Sequence, residues 1–163
     1  MNITLKGMLA AGILSGASFA YAVDSTITVT GTVLQRTCTI DKKDVTVDLG
    51  NLYTSDLVNV NSTSSWKNFQ LKLTNCQNMS TVTAMFSGTS DSNDYYKNNG
   101  DASNVMVEIQ EVNGNTALKS GSTISANVSN NNATLDLRAR AVSKGNTGAG
   151  SINSQITVTY TYA

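Results

Sequence analysis

The 163-residue chain contains no histidine and no proline, and it has no excess charge of either sign. Without histidine it lacks the commonest metal ligand in proteins and the usual general base of enzymes. Its 11 basic and 11 acidic residues cancel, so the charge balance gives no reason to expect nucleic acid or an anionic membrane surface as a partner. These absences disfavour metal-dependent, nucleic-acid-binding and histidine-based catalytic functions.

The chain begins with a run that has the composition of an export signal. Lys6 is its only charge, residues 7–19 are mostly apolar, and residues 20–22 read Ala-Tyr-Ala, the pattern of a cleavage site. We expect cleavage between Ala22 and Val23, which makes residues 1–22 a signal peptide. A buried N-terminal helix is the alternative interpretation. The run is too short to span a bilayer, so no stable membrane insertion is expected.

Two cysteines, Cys38 and Cys76, follow the expected cleavage site. Exported chains fold in oxidising compartments, where a pair of cysteines usually forms a disulfide. We therefore expect one Cys38–Cys76 bond, with two free thiols as the alternative. In the chain-entropy model, closing this loop stabilises the fold by roughly 4 kcal/mol.

Nearly every apolar run after the signal has the period of two that indicates a strand with one buried face. The most regular run ends the chain, and its apolar face carries Ile152, Ile156, Val158, Tyr160 and Tyr162. Similar runs occupy residues 45–49, 69–73, 82–86, 105–109 and 135–141. Glycine and asparagine clusters separate the runs, and only residues 54–60 could form a short helical turn. The pattern predicts an all-β, antiparallel, immunoglobulin-like sandwich.

A second regular alternation lies near the expected start of the mature chain. Its apolar face carries Ile27, Val29, Gly31 and Val33, with threonines between them. The segment runs into Cys38 without a turn, so it has no hairpin partner of its own. It could pair inside a closed, self-contained sandwich, or it could pair with a neighbouring molecule.

From Val23 onward the chain resembles subunits of bacterial type 1 fimbriae, which are assembled by the chaperone–usher route. The resemblance rests on the alternating arm before Cys38, on the position of Cys76, and on Gly150 and the penultimate Tyr162, which frame the C-terminal run. Residues 47–53 and 94–98 are most similar to the adaptor subunit beside the tip adhesin.

This resemblance implies a pilin fold: an incomplete immunoglobulin-like sandwich that lacks its final strand. Residues 37–163 would form the pilin domain and residues 23–36 an N-terminal donor-strand arm. In this family a periplasmic chaperone lends a strand to the open groove. At the outer-membrane usher, the arm of the next subunit replaces it, which is β-strand addition.

The resemblance also assigns residues to each role. Ile27, Val29, Gly31 and Val33 would enter a neighbour's groove. The strand beside this chain's own groove would carry Gly150, Ile152, Ile156, Val158, Tyr160 and Tyr162. The implied partners are the chaperone, the usher, neighbouring subunits and the tip adhesin, and the implied location is a fimbria on the bacterial surface. A major rod subunit would share these mechanics.

Three aromatic residues support a second hypothesis, a carbohydrate-binding adhesin. Trp66, Tyr95 and Tyr96 could form a sugar-stacking platform; alternatively, Trp66 packs in the core and the tyrosines cover a loop. The length of the chain leaves room for one domain, which favours a fimbrial subunit over a tip adhesin with a separate lectin domain. The acidic run at residues 91–94 lacks EF-hand spacing, so no metal or cofactor is expected. No catalytic motif indicates an enzyme.

Overall fold

A computed structural model describes residues 26–92 and 94–163, which divide into two units at Val33 and Leu34. The expected signal peptide and its cleavage site at Ala22 and Val23 lie outside the described residues. Within the first unit, residues 26–33 have no regular secondary structure, although their alternation predicts a strand. The side chains of Ile27 and Val29 are 87% and 89% exposed.

The second unit is built almost entirely of strands, as predicted. They are β1 (Thr37–Ile40), β2 (Val60–Thr63), β3 (Lys67–Gln77), β4 (Thr81–Gly88), β5 (Ser90–Ser92), β6 (Tyr95–Lys97), β7 (Val105–Glu111), β8 (Thr123–Asn127), β9 (Ala133–Lys144) and β10 (Ile156–Tyr162). A short 3-10 helix, Thr54–Leu57, lies within the predicted helical turn. Among the residues that the structure describes, no helix is long and apolar enough to cross a membrane.

The strands form two antiparallel sheets that pack face to face. The larger sheet has the order β1-β3-β9-β7-β6-β5, with β2 also paired to β9, and the smaller sheet has the order β10-β4-β8. Leu71 of β3, Phe86 of β4 and Leu137 of β9 belong to the buried cluster between them. The predicted sandwich is confirmed.

The long central strand β9 shows why alternation produces this core. It lies between β3 and β7, so both of its edges are hydrogen-bonded. Leu135, Leu137 and Ala139 are buried on its inner face, while Arg138 and Arg140 point the other way, as their spacing predicts. The inner side chains of β9 therefore belong to the core of the sandwich.

The predicted disulfide is present between Cys38 in β1 and Cys76 in β3. The two strands pair antiparallel, with a register shift between Thr37 and Thr39 beside the first cysteine. Cys76 is buried against Leu73 of β3. The bond therefore ties the first strand of the sandwich to a strand of its core.

Two predicted strands differ from the observed ones. Residues 45–49 keep their alternation but form no strand, because no ladder of hydrogen bonds includes them. The C-terminal strand begins at Ile156, and the residues before it bond to the loop after β6 instead of to β4. Both differences border the same opening in the sandwich.

Four observed strands, β2, β5, β6 and β8, are not predicted from the sequence. β5 consists of Ser-Asp-Ser, and residues 88–100 around it have the composition of a turn. β8 has only Ile124 and Ala126 on its inner face, which is too short an apolar alternation to stand out. Such strands depend on their neighbours' ladders more than on their own pattern.

Candidate functional site

β10 is an edge strand whose inner face is only half covered. It pairs with β4 from Ile156 opposite Gly88 to Tyr162 opposite Val82. Its inward side chains pack against the core but stay half-buried; they are Ile156, Val158, Tyr160 and Tyr162. The threonines between them are exposed. The sandwich is therefore incomplete beside this strand.

Residues 45–52 form the opposite wall of the opening. Val47 and Leu49 pack against the core and are half-buried, while the residues between and beside them are exposed. The wall ends in a turn, where the N–H of Gly50 donates to Oδ1 of Asp48 (2.8 Å) and Gly50 has a φ of +76°. These residues have the side-chain pattern of a strand without the partner that would make them one.

Two cavities occupy the space between the walls, and we call the whole space the groove. The larger, of about 650 Å³, lies between residues 46–52 and residues 150–156. The smaller, of about 390 Å³, extends along β10 as far as Tyr160. Ile109, Ser154 and Ile156 line both, so the groove is continuous. Its floor consists of the apolar residues Leu71, Phe86, Val107, Ile109 and Ala139.

Four charged residues line the groove. Asp48 lines the larger cavity, whereas Lys42, Lys43 and Asp44 line the smaller one. Burial raises the pKa of Tyr160 above its usual value of 10.0, and the neighbouring Tyr162 adds to this shift. Tyr160 is therefore uncharged at neutral pH. An apolar floor between two strand-like walls suits an extended chain whose apolar side chains recur at every second residue.

The wall at residues 150–154 is fixed by hydrogen bonds to the loop at residues 98–102, and we call this junction the Asn98 seam. Nδ2 of Asn98 donates to the carbonyl oxygens of Ala102 (2.9 Å) and Ser151 (3.3 Å). Its Oδ1 accepts from the N–H groups of Gly100 (2.9 Å) and Asn153 (2.8 Å). These bonds replace the sheet ladder that the sequence predicts here.

Two glycines permit the close approach at the Asn98 seam. A Cβ at Gly100 would lie 2.3 Å from the carbonyl oxygen of Ser151, and a Cβ at Gly150 would lie 2.3 Å from the backbone nitrogen of Ala102. Neither distance is compatible with a side chain. Gly150, which the sequence places at the start of the groove strand, lines the larger cavity and is required by this contact.

Trp66 does not pack in the core, which corrects one of the two sequence-based interpretations. Its ring lies 4.5 Å from Cζ of Arg138 and 4.1 Å from Cζ of Arg140, a cation–π arrangement on the outer face of the larger sheet. Nε of Arg140 donates to Oε2 of the buried Glu108 at 2.6 Å. Trp66 therefore belongs to a surface cluster built on paired charges.

The aromatic platform expected for an adhesin is not formed by these three residues. Tyr96 is fully buried between the sheets, and burial raises its pKa to about 12. Its neighbour Tyr95 is only half-buried, because adjacent residues of a strand face opposite sides. Tyr96 thus packs in the core. The alternative interpretation, in which it covers a loop, is also wrong for Tyr96.

The acidic run at residues 91–94 is paired with lysines. Asp91 bonds to Lys144 at 3.0 Å, and Asp94 lies 3.5 Å from Lys119. Asn93 lies outside the described residues. Within residues 26–92 and 94–163, no group of three or more His, Cys, Asp or Glu side chains is placed to hold a metal ion.

The structure brings most of the predicted groove residues onto one wall. Ile152, Ile156, Val158 and Tyr160 line the cavities, whereas Tyr162 packs further along, beside the disulfide cluster. The sequence did not single out Asn98 for this role. Its partners Ser151 and Asn153 lie 53 and 55 positions away, so no local pattern could reveal the contact.

The fold and the groove together define a class: a pilin-type, immunoglobulin-like sandwich that lacks one strand. The model of the family described as fimbrial protein matches residues 27–163. The chain belongs to this family. It is a structural subunit of a fimbria, and such subunits are exported and assembled on the bacterial surface.

Individual relatives agree with this assignment. The chain is 55% identical over 158 residues to the S-fimbrial adhesin protein SfaS of Escherichia coli O6:K15:H31 (strain 536 / UPEC), covering 96% of each chain. It is 42% identical to the protein FimG of Escherichia coli K12, covering 97% of each. Among solved structures, the P pilus rod subunit PapA superposes with a TM-score of 0.64 at 20% identity, over 77% of this chain and 99% of PapA.

Proposed function

We propose that this chain polymerises by donor-strand exchange as a minor, adaptor-type subunit of the fimbrial tip. Its groove accepts the N-terminal arm of one neighbouring subunit, and its own arm, residues 23–36, enters the groove of another. The observation that carries this proposal is the groove between residues 45–52 and β10, where two strand-like walls flank an apolar floor. Each subunit uses different surfaces for its two neighbours, so the assembly is an open fibre.

The arm has the pattern that such a groove requires. Ile27, Val29 and Val33 alternate with threonines, and their side chains are exposed in the structure. Burying these three side chains in a neighbour would contribute roughly 5–8 kcal/mol of transfer free energy. Gly31 would lie at a shallow point of that groove, where a side chain does not fit. The arm becomes a strand only when a groove supplies its ladder.

Before assembly, the open groove needs a temporary occupant. An apolar groove with unpaired backbone edges promotes aggregation. A periplasmic pilus chaperone would fill it after cleavage of the signal between Ala22 and Val23. The outer-membrane usher would then be the place where a neighbour's arm replaces the chaperone. In this role the chain binds and transmits force, and it performs no catalysis.

The chain is more similar to a relative described as a fimbrial adhesin than to the A chain of type-1 fimbriae, which supports a minor-subunit role. FimG and SfaS match at 42% and 55% identity, whereas the type-1 fimbrial protein A chain of Escherichia coli matches at 30%. Antibodies against this chain should therefore label the ends of purified fimbriae. Labelling along the whole shaft would instead indicate a rod subunit.

The name of one relative favours a second candidate function. SfaS is described as an adhesin and is 55% identical to this chain over nearly its whole length. A direct adhesive role predicts that the subunit, with its groove filled, binds immobilised carbohydrates. A glycan array probed with the chaperone-bound subunit tests this. An array without signal would contradict the adhesive role and leave the structural role as the function of the subunit.

A matched pair of variants on β10 tests the strand-exchange proposal. Ile156→Asp places a charge on the inner wall of the groove, whereas Thr159→Asp places the same charge on the outer face of the same strand, three residues away. Ile156→Asp should prevent chaperone capture, so the subunit is degraded in the periplasm. Thr159→Asp should accumulate as the wild type does. Normal accumulation of chaperone-bound Ile156→Asp would contradict the proposal.

A further inference from the structure

Asn98 holds one wall of the groove from outside it. Its side chain bonds to both sides of the Asn98 seam, yet it does not line either cavity. Ser151, Ile152 and Ser154, which the seam holds, do line the larger cavity. Asn98 therefore reaches the groove only through the backbone that it fixes.

Further hydrogen bonds join the two segments of the Asn98 seam. The N–H of Asn99 donates to the carbonyl oxygen of Asn153 (2.7 Å), and the N–H of Ala102 donates to that of Ser151 (3.0 Å). The hydroxyl of Ser154 donates to the carbonyl oxygen of Lys97 (3.0 Å). The ladder between β10 and β4 ends at Ile156. The seam therefore fixes the backbone of residues 151–154, as the sheet fixes the backbone of the rest of the wall.

An incoming strand needs this wall at a fixed position. Ladder hydrogen bonds form only over a narrow range of distances and angles, so a displaced wall would lose them. An uncharged amide suits the seam, because its nitrogen donates toward carbonyl oxygens while its oxygen accepts from N–H groups. The side chain of Asn98 does both, with three carbonyl oxygens and two N–H groups as partners.

We propose that Asn98 is a positioning residue for strand capture: it holds residues 151–153 where the strand that fills the larger cavity can pair with them. This inference rests on the proposed function, since it concerns the groove's uptake of a donor strand. It adds a residue outside the groove that determines how readily a strand enters at this end.

The decisive variant is Asn98→Asp, which keeps the shape of the side chain. It replaces the donating Nδ2 with an anionic oxygen that faces the carbonyl oxygens of Ala102 and Ser151. Asn115→Asp is the matched control, because it makes the same charge change at an exposed position outside both the seam and the groove. The probe is a labelled synthetic peptide of residues 23–36, which we call the arm peptide, added to the chaperone-bound subunit.

We expect Asn98→Asp to take up the arm peptide roughly tenfold more slowly than the wild type, from the loss of the hydrogen bonds that Asn98 makes across the seam. Asn115→Asp should react at the wild-type rate. Equal rates for all three proteins would overturn the role of Asn98 and leave strand exchange intact. A wild-type subunit that takes up neither the arm peptide nor the arm of a neighbouring subunit would instead contradict the proposed function itself.

A coupling measurement separates positioning from a general loss of stability. Two arm peptides each have one apolar side chain truncated, Ile27→Ala near one end of the arm and Val33→Ala near the other. An inserted arm places only one of these two positions in the larger cavity. The effect of Asn98→Asp should be non-additive with the truncation at one end and additive with the truncation at the other. Additivity at both ends would overturn the proposal.

A milder variant guards against failure to fold. Asn98→Ser keeps a neutral hydroxyl but cannot reach both sides of the Asn98 seam. It should leave the melting temperature of the chaperone complex near that of the wild type, accelerate hydrogen exchange at the amide of Asn153, and slow uptake of the arm peptide. Wild-type uptake by Asn98→Ser would overturn the proposal.

Discussion

β9 and β10 carry the same kind of alternating pattern, but only β9 has a partner strand on each side and fully buried inner side chains. β9 lies between β3 and β7, and its inner side chains, such as Leu137 at 0% exposure, are buried. β10 has a neighbour, β4, on one side, and its inner side chains remain half-buried beside the groove. The difference between the strands lies in their partners and not in their sequences. Full burial of β10 thus requires a strand that another molecule supplies.

The largest expected effect belongs to the closed part of the sandwich. Replacing both Cys38 and Cys76 by serine should lower the free energy of unfolding by roughly 4 kcal/mol, because the unfolded chain regains the entropy of the open loop. The loss should be similar before and after uptake of the arm peptide, since neither cysteine lines either cavity. Denaturant unfolding of both forms measures this, and a loss confined to the filled form would contradict it.

Leucine and isoleucine truncations compare the two strands directly. Leu137→Ala in β9 should cost about 3 kcal/mol in either form, because the side chain is buried in both. Ile156→Ala in β10 should cost about 1 kcal/mol in the empty form and more once the arm peptide covers that side chain. Unfolding curves for the two variants, with and without the arm peptide, test the contrast. Equal costs for Ile156→Ala in both forms would mean that the peptide does not cover β10.

Gly31→Leu tests the arm from the donor's side. A leucine at the shallow point of a neighbour's groove should overpack it, at a cost of roughly 1–3 kcal/mol. The variant should still yield a soluble, disulfide-bonded subunit, because the arm is not part of its own core. An assembly assay with the preceding subunit should then show no strand exchange. Unfolding of the Gly31→Leu subunit itself would support the closed-sandwich alternative.

The smallest effect concerns the buried hydroxyl of Tyr96, which has no hydrogen-bond partner among the described residues. Tyr96→Phe should raise the free energy of unfolding by up to about 1 kcal/mol, because it removes an unpaired polar group from the core. The matched control Tyr95→Phe, on the opposite face of β6, should change it less. Destabilisation by Tyr96→Phe would indicate that the hydroxyl is bonded.

Tyr96 also makes a prediction about pH. Its pKa rises from 10.0 in the unfolded chain to about 12 in the folded protein, so the folded state retains a proton that the unfolded state releases. The stability that this provides is complete below pH 10 and is lost as the pH rises toward 12. Tyr96→Phe should flatten the fall of melting temperature in that window, and an unchanged slope would contradict the assignment.

The sequence predicts the closed part of the molecule better than the open part. Long strands such as β3, β4, β7 and β9 are visible because both their alternation and their burial are complete. The disulfide is predicted from the expected export signal and the two cysteines. Residues 45–49 and 26–33 show the same alternation, but the pattern reports only which side chains can be buried. Whether a strand forms also depends on a ladder partner, which a single chain does not always contain.

The wall of the groove at residues 150–154 is not predicted correctly, and the reason here is a different one. The strand pattern extends back to Ile152, yet the observed strand begins at Ile156, because Asn98 and its loop bind residues 151–153. An asparagine in a polar loop has no periodic signal. Its contribution arises from contacts between segments that only the fold brings together.

Hydrogen exchange along β10 decides whether the groove accepts a strand. Some amides of residues 156–162 bond to β4, while those that point toward the groove have no strand to pair with in the described structure. After uptake of the arm peptide, the groove-facing amides should become strongly protected, and the amides bonded to β4 should change little. If the arm peptide binds and the groove-facing amides exchange as fast as before, the strand does not enter the groove, and the proposed mechanism is wrong.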